Sequence, residues 1–231
     1  GSEMKKLNKA LLENKVKNLI EENIKLGNLG GAAAVVLQNG ETICDLRIGL
    51  KNVITGEKLT KNTLFRLASL TKPVAGIAAM IAVEKGYFKL SDKVSDYFPE
   101  IKNMYVGKLE NGVVVPDRKP ENELIIRDLL THTSGIMAEN ALCAPQQNII
   151  PASAYETNKA MVDYVLNHTC FTFEPTKASA YSGYAAFDIM ALIIEQKSGL
   201  SYSEFADKYI FAPLNIKDIT FNPTDEQWAR M

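Results

Sequence analysis

Hydrophobic positions near the start of the chain repeat first with the period of a helix and then with that of strands. Between Leu7 and Leu26 the apolar residues are spaced three and four apart, which predicts an amphipathic helix that Gly27 ends. Short apolar runs on both sides of Asn39-Gly40 predict a β-hairpin at 31–48, because the tight turn needs positive φ at both central residues. A helix followed by a hairpin favours an α+β fold over a doubly wound sheet.

After residue 68 helical patterns dominate. A long helix of small residues is predicted from about Ser69 to Lys85, ended by Gly86. Shorter helices are predicted at 124–130, 158–167, 183–197 and 202–210.

The stretches between these helices have weaker patterns. Residues 103–123 contain two glycines and two prolines, which predicts an irregular surface excursion, and residues 138–154 are predicted to form a loop. Short strands are predicted near Thr63 and Thr220. The chain is therefore divided into residues 1–68, the N-terminal helix and hairpin of an α/β domain, and residues 69–231, a mostly helical region.

Composition and charge exclude several classes of partner. The 231 residues are 46% hydrophobic and 23% charged with a formal net charge of -1, which is typical of a globular chain. A near-neutral chain has no basic field for a phosphate backbone, so we expect no nucleic-acid partner. No apolar run approaches the roughly 20 residues of a membrane span, so we expect no membrane partner.

The N-terminus and the cysteines favour a cytoplasmic location. Residues 1–3 resemble an expression remnant before Met4, and the charged residues that follow make a poor signal peptide, although a leader removed in cloning would leave the same sequence. Cys44, Cys143 and Cys170 are odd in number and widely spaced, which suits free thiols better than a disulfide framework.

Common metal and nucleotide motifs are absent from the sequence. It contains two histidines, His132 and His168, and neither a Cys-x-x-Cys nor a His-Glu-x-x-His motif. It also lacks the phosphate-binding, dinucleotide-binding and Gly-x-Ser-x-Gly motifs. We therefore predict no metal and no organic cofactor.

One candidate for nucleophilic chemistry remains, Ser69-Leu70-Thr71-Lys72. Pro73 is tolerated only in the first turn of a helix, so the helix begins close to Ser69, and Ser69 and Lys72 share one helix face. A serine hydroxyl becomes a nucleophile when a base lies beside it. The tetrapeptide by itself is more often an N-cap serine beside a solvated lysine.

Two further segments make the pattern specific. Leu129-Leu130-Thr131-His132-Thr133-Ser134-Gly135 and Tyr181-Ser182-Gly183 follow the Ser-x-x-Lys motif in order. With them the chain resembles, from about Gly30 to its end, the serine β-lactamase and penicillin-binding protein superfamily. The branch it resembles most is the class C β-lactamase-like one, which includes esterases and D-alanyl-D-alanine carboxypeptidases. The resemblance implies an antiparallel sheet flanked by helices plus a mostly helical domain.

The resemblance also implies catalytic roles. Ser69 would be the acylated nucleophile, Lys72 and Tyr181 would share general-base and general-acid duty, and the Ser69 N–H would donate to the oxyanion. For His132, which follows a short helix, we expect a structural, backbone-bonding role, and we expect its replacement by alanine to leave most activity.

The chain departs from the family pattern in two ways. No Lys-Thr-Gly or His-Thr-Gly motif follows the tyrosine, and Tyr-Ser-Gly replaces Tyr-x-Asn. The chain therefore resembles an N-terminal portion of a longer enzyme, without the C-terminal sheet strands. We expect residues 1–231 alone to be inactive, and to self-associate or pair with a C-terminal fragment.

The resulting hypothesis is a serine hydrolase that acts through an acyl-enzyme on Ser69, with small esters or amides as substrates. The alternative is a non-catalytic ligand-binding or structural fragment of such a protein. Retention of Ser69, Lys72 and Tyr181 together argues against that alternative, since a binding protein needs none of them.

Overall fold

The protein, described by a computed structural model at residues 4–138 and 150–231, is of the α+β class and forms two compact units. One unit runs as far as Arg66 and includes Asn222–Met231, and the other is Leu67–Phe221. The sequence-based division at residue 68 assigned 222–231 to the helical region. The structure places these residues with the first unit, where the Leu64 N–H donates to the Arg230 carbonyl (2.9 Å).

The first unit contains the N-terminal helix and a three-stranded antiparallel sheet. Its elements, with the strands in the order β1-β2-β3, are α1 (Lys9–Lys25), β1 (Gly31–Gln38), β2 (Glu41–Asn52), β3 (Glu57–Lys58) and a C-terminal helix, Asp225–Ala229. Asn8 caps α1 by accepting from the Leu11 N–H. Asn39 and Gly40 have φ of 51° and 80°, so the predicted hairpin is present with the turn its sequence requires.

The two short strands predicted near Thr63 and Thr220 are not present, and that prediction is wrong. At the first position the chain makes a turn: the Thr63 N–H donates to the Thr60 carbonyl (3.2 Å), and the Thr60 N–H donates to Thr63 Oγ1 (2.9 Å). These local hydrogen bonds replace the pairing that a strand would need.

The second unit is mostly helical. Its helices are α2 (Thr71–Glu84), α3 (Ile126–Leu130), α4 (Asn158–His168), α5 (Ala185–Ser198) and α6 (Tyr202–Ala206), which continues into a π-helical turn, Asp207–Phe211. Short 3-10 helices cover Ala68–Leu70, Val94–Asp96, Pro99–Asn103 and Ala152–Tyr155. Helix α2 packs on α5 through buried alanines, which allow close approach of the two backbones.

Residues 103–123 contain a second hairpin, so the prediction of an irregular excursion is wrong for most of this segment. Strands β4 (Val106–Glu110) and β5 (Val113–Arg118) pair antiparallel around Asn111-Gly112, whose φ values are 50° and 79°. The turn has the same Asn-Gly signature as the first hairpin. The predicted loop at 138–154 lies mostly outside the described residues.

The cysteines differ from the sequence-based expectation. Cys44 is a buried free thiol, but Cys170 is disulfide-bonded, so the prediction of three free thiols is wrong; Cys143 lies outside the described residues. Because disulfides persist mainly in oxidising compartments, the cytoplasmic location loses one of its two grounds and stays a prediction. Across residues 4–138 and 150–231, no helix has the length and apolar character needed to cross a bilayer.

Candidate active site

Ser69 lies in the 3-10 turn that leads directly into α2. Ala68, the residue before it, has φ of 47°, a left-handed conformation that non-glycine residues rarely adopt. Lys72 follows in the first turn of α2, and its Nζ lies 3.4 Å from Ser69 Oγ. The helix begins where the position of Pro73 in the sequence indicated, and Ser69 and Lys72 lie on one face of it.

The structure brings Tyr181 to the same point, 112 residues further along the chain. The Tyr181 hydroxyl lies 2.5 Å from Ser69 Oγ and accepts a hydrogen bond from Lys72 Nζ at 2.8 Å. The three residues singled out from the sequence therefore form one hydrogen-bonded triangle. Tyr181 is 46% exposed, so the triangle is open to an incoming molecule.

The hydrogen bonds of the triangle stabilise the ionised form of Tyr181 relative to an ordinary tyrosine. The hydrogen bond from Lys72, together with that from Ser69, lowers the pKa of Tyr181 below its ordinary value of 10.0. The Lys72 ammonium also lies 4.8 Å from the centre of the Tyr181 ring and 5.5 Å from that of Phe187. A tyrosine with a lowered pKa beside a serine hydroxyl can take the serine proton.

The loop that carries Tyr181 is held by a largely buried carboxylate. Glu174, whose side chain is 10% exposed, accepts hydrogen bonds from the Arg118 guanidinium (2.8 Å) and from the Asn122 (2.7 Å) and Glu121 (2.5 Å) N–H groups. Burial raises the pKa of Glu174, but these donors outweigh it and hold the pKa below its usual range. These hydrogen bonds therefore fix the start of the segment that leads to Tyr181.

His132 contacts the tyrosine loop and not the serine. Its Nδ1 accepts from the Ser182 N–H (3.0 Å), and its carbonyl accepts from the Ala180 N–H (3.0 Å). Within the described part of the chain no hydrogen bond joins His132 to Ser69. Burial, and then the charge of Lys72, lower the pKa of His132, which favours the neutral imidazole. The backbone-bonding role expected from the sequence agrees with these contacts.

Sequence reasoning missed a carboxylate near the site. Asp188, in the first turn of α5, has its pKa raised to about 6 by burial, against the opposing effect of the Lys72 charge. A signal for it is present in the sequence, since Asp188 alone interrupts the apolar run from Ala185 to Ile194.

An open cavity of about 410 Å³ lies beside the tyrosine loop. Its walls combine apolar side chains, among them Leu109, Val114 and Phe173, with the polar side chains of Lys108, Thr172 and Ser179, and the three residues of the triangle are not part of them. Its volume is in the range of small-molecule sites. Among residues 4–138 and 150–231, no three His, Cys, Asp or Glu side chains are grouped as metal ligands.

Comparison with known proteins gives consistent matches. The signature of the family described as Beta-lactamase matches residues 16–231. Among curated proteins, Protein flp of Staphylococcus aureus (strain MW2) is 25% identical over 92% of this chain and 39% of its own length. Protein Rv1367c of Mycobacterium tuberculosis is 26% identical over 87% of this chain and 50% of its own length.

Solved structures that share the fold include the following three. EstCE1, described as a hydrolase with promiscuous acyltransferase activity, has a TM-score of 0.77 and 23% sequence identity, and the match covers 94% of this chain and 55% of that one. A class C β-lactamase has a TM-score of 0.69 and 21% identity, over 98% of this chain and 56% of that one. The D-amino acid amidase of Ochrobactrum anthropi SV3 has a TM-score of 0.66 and 24% identity, over 89% of this chain and 50% of that one. This chain thus spans about half the length of its relatives, or less. The α+β, β-lactamase-like fold that the resemblance implied is confirmed.

Proposed function

Because the chain belongs to the β-lactamase family, we propose that it is a serine hydrolase that forms an acyl-enzyme on Ser69. The triangle of Ser69, Lys72 and Tyr181 carries the proposal, because it joins a nucleophile, a cation and a tyrosine of lowered pKa within 3.4 Å of one another. If Ser69 were only an N-cap and Lys72 only a solvated lysine, neither would need the hydrogen bond that each makes with the Tyr181 hydroxyl.

The proposed acylation follows from these contacts. Ionised Tyr181 accepts the proton of Ser69 as the Ser69 oxygen attacks the carbonyl carbon of the substrate, and the Lys72 ammonium stabilises the phenolate beforehand. When the tetrahedral intermediate collapses, the bond to the leaving group breaks and Tyr181 gives its proton to the departing alcohol or amine. Water then attacks the acyl carbon and gives a proton to Tyr181. The bond between the acyl carbon and Ser69 Oγ breaks, the acid leaves, and Tyr181 returns the proton to Ser69.

The position of Ser69 supports a role for its own backbone in this step. The first N–H groups of a helix have no partner within the helix, and the helix dipole makes that end positive. Ser69 lies in the turn that enters α2, so its N–H is suited to donate to the developing oxyanion.

Small esters or amides are the proposed substrates. The cavity of about 410 Å³ beside the tyrosine loop is of a size for such molecules, and its walls contain both apolar and polar side chains. The structural neighbours are named as a hydrolase with acyltransferase activity, an amidase and a β-lactamase, and chemistry at an acyl group is common to these names. We propose no cofactor, since the triangle itself contains both nucleophile and base.

Covalent labelling tests the nucleophile. We expect a fluorophosphonate probe to add one adduct to the full-length protein that contains this chain, and none to Ser69→Ala, by intact-mass analysis. Lys72→Ala is expected to slow labelling, whereas Lys85→Ala, a control immediately after α2, leaves it unchanged. Equal labelling of wild type and Ser69→Ala would refute the assignment. A panel of p-nitrophenyl esters, a chromogenic β-lactam and amino acid amides then identifies the substrate class.

A further inference from the structure

We propose that His132 is a positioning residue for Tyr181: its carbonyl and its Nδ1 bind the backbone on both sides of the tyrosine and so fix the phenol against Ser69 and Lys72. The inference rests on the proposed function for its kinetic consequence. It changes the expectation that alanine at position 132 would leave most activity.

The geometry is bidentate around one residue. The Ala180 N–H donates to the His132 carbonyl and the Ser182 N–H donates to its Nδ1, each at 3.0 Å. Between these two bonds the imidazole ring lies against the Tyr181 ring, with 4.8 Å between centres and planes tilted by 35°. Backbone, side chain and ring face of a single histidine therefore define where the phenol lies.

The conformation of His132 makes this arrangement possible. Its φ of 57° is in the left-handed region, which turns the carbonyl and the side chain toward the same neighbouring segment. Since Nδ1 accepts from the Ser182 N–H, the ring proton must be on Nε2 and the imidazole must be neutral. A protonated ring would offer Ser182 a donor instead of an acceptor.

The segment also has bonds that do not depend on the imidazole. Ser182 Oγ donates to the Ile136 carbonyl at 2.5 Å, and the Thr176 N–H donates to the Thr133 carbonyl at 2.9 Å. Loss of the imidazole should therefore loosen the tyrosine without unfolding the loop. Because misplacement of a reacting group by about 1 Å can cost roughly 100-fold in rate, the effect should appear in kcat.

Two substitutions separate the side-chain acceptor from the backbone conformation. Asparagine and glycine both tolerate positive φ, but only asparagine keeps an acceptor near the position of Nδ1. We expect His132→Gly to lower kcat about 10- to 100-fold with KM changed less than about threefold, and His132→Asn to stay within about threefold of wild type. His168→Asn, at the other histidine, is the control. Equal kcat in all variants, or equal loss in His132→Asn and His132→Gly, overturns the proposal.

Nitrogen NMR of the wild-type full-length protein tests the same point without activity. The spectra of His132→Asn and His168→Asn assign the signals of the two histidines of this chain. We expect a neutral His132 with its proton on Nε2; a proton on Nδ1 overturns the proposal. If Ser69→Ala hydrolyses substrate as fast as wild type, the proposed function fails while this test still stands.

Discussion

Asp188→Asn should make the protein more stable at neutral pH and not at acidic pH. Asp188 is a partly buried carboxyl in the first turn of α5, and burial raises its pKa from an ordinary 3.8 to about 6, although the Lys72 charge acts in the opposite direction. Asparagine keeps the shape and removes the charge, so it isolates the cost of ionising this group inside the fold.

The sign and size follow from the two pKa values. Between pH 3.8 and about 6 the folded protein keeps a proton that the unfolded chain releases, so the stability contributed by Asp188 is present at low pH and is lost as the pH rises through 6. At about 1.4 kcal/mol per pKa unit the full loss is about 3 kcal/mol. From pH 4 to pH 7.5 we expect Asp188→Asn to gain about 2–3 kcal/mol relative to wild type.

Urea unfolding of both proteins at pH 4, 5, 6 and 7.5 measures this difference. Subtracting wild type at each pH cancels the titration of the other carboxylates when their surroundings are unchanged. Asp163→Asn, an exposed aspartate on α4 paired with Lys159, is the control and should show a difference that is constant within about 0.5 kcal/mol. A pH-independent difference for Asp188→Asn as well would refute the reasoning.

Three further predictions follow from the site and from α2. Tyr181→Phe should lower kcat by about 100-fold or more, whereas Tyr184→Phe, at an exposed tyrosine three residues on, should stay within about twofold; comparable losses in steady-state kinetics would contradict the assignment. Lys72→Met should raise the pKa of Tyr181 toward 10.0, because the Lys72 hydrogen bond is the largest cause of its lowering. The acidic limb of the profile of kcat/KM against pH should then move to higher pH, and an unmoved limb would exclude Tyr181 as the base. Residues 1–231 alone should self-associate through the exposed apolar face of α2, where Ile77 is 51% and Met80 49% exposed. Light scattering should give a larger molar mass for the wild-type residues 1–231 than for the double variant Ile77→Glu/Met80→Glu. A monomeric wild type would disprove this.

The two hairpins show which parts of the fold the sequence could predict. Both turn at Asn-Gly with positive φ, yet only the one at Asn39-Gly40 was predicted. Around Asn111-Gly112 the nearby glycines and prolines suggested an irregular segment, although Pro116 lies within β5. Local turn chemistry was thus readable at both positions. Whether the flanking residues pair depends on what covers them, and Val106 forms a β-bridge with Phe171, far along the chain.

The candidate site divides in the same way. The Ser69–Lys72 spacing is local, and helical geometry by itself places the two side chains together. Tyr181 came from a motif resemblance, because no periodic pattern relates residues 112 apart. Asp188 interrupts an apolar run in the sequence, but only its surroundings in the fold show that its pKa is raised.

His132 shows why a residue's role depends on contacts that the sequence does not display. A histidine between a short helix and a Thr-Ser-Gly turn predicted a backbone hydrogen bond, and that bond exists. Its partner, however, is Ser182, fifty residues away and next to the tyrosine hydrogen-bonded to the nucleophile. A structural hydrogen bond and a catalytic effect are therefore not alternatives at this position: because the bonded backbone carries the general base of the proposed reaction, loss of the acceptor should appear in kcat even where the fold survives.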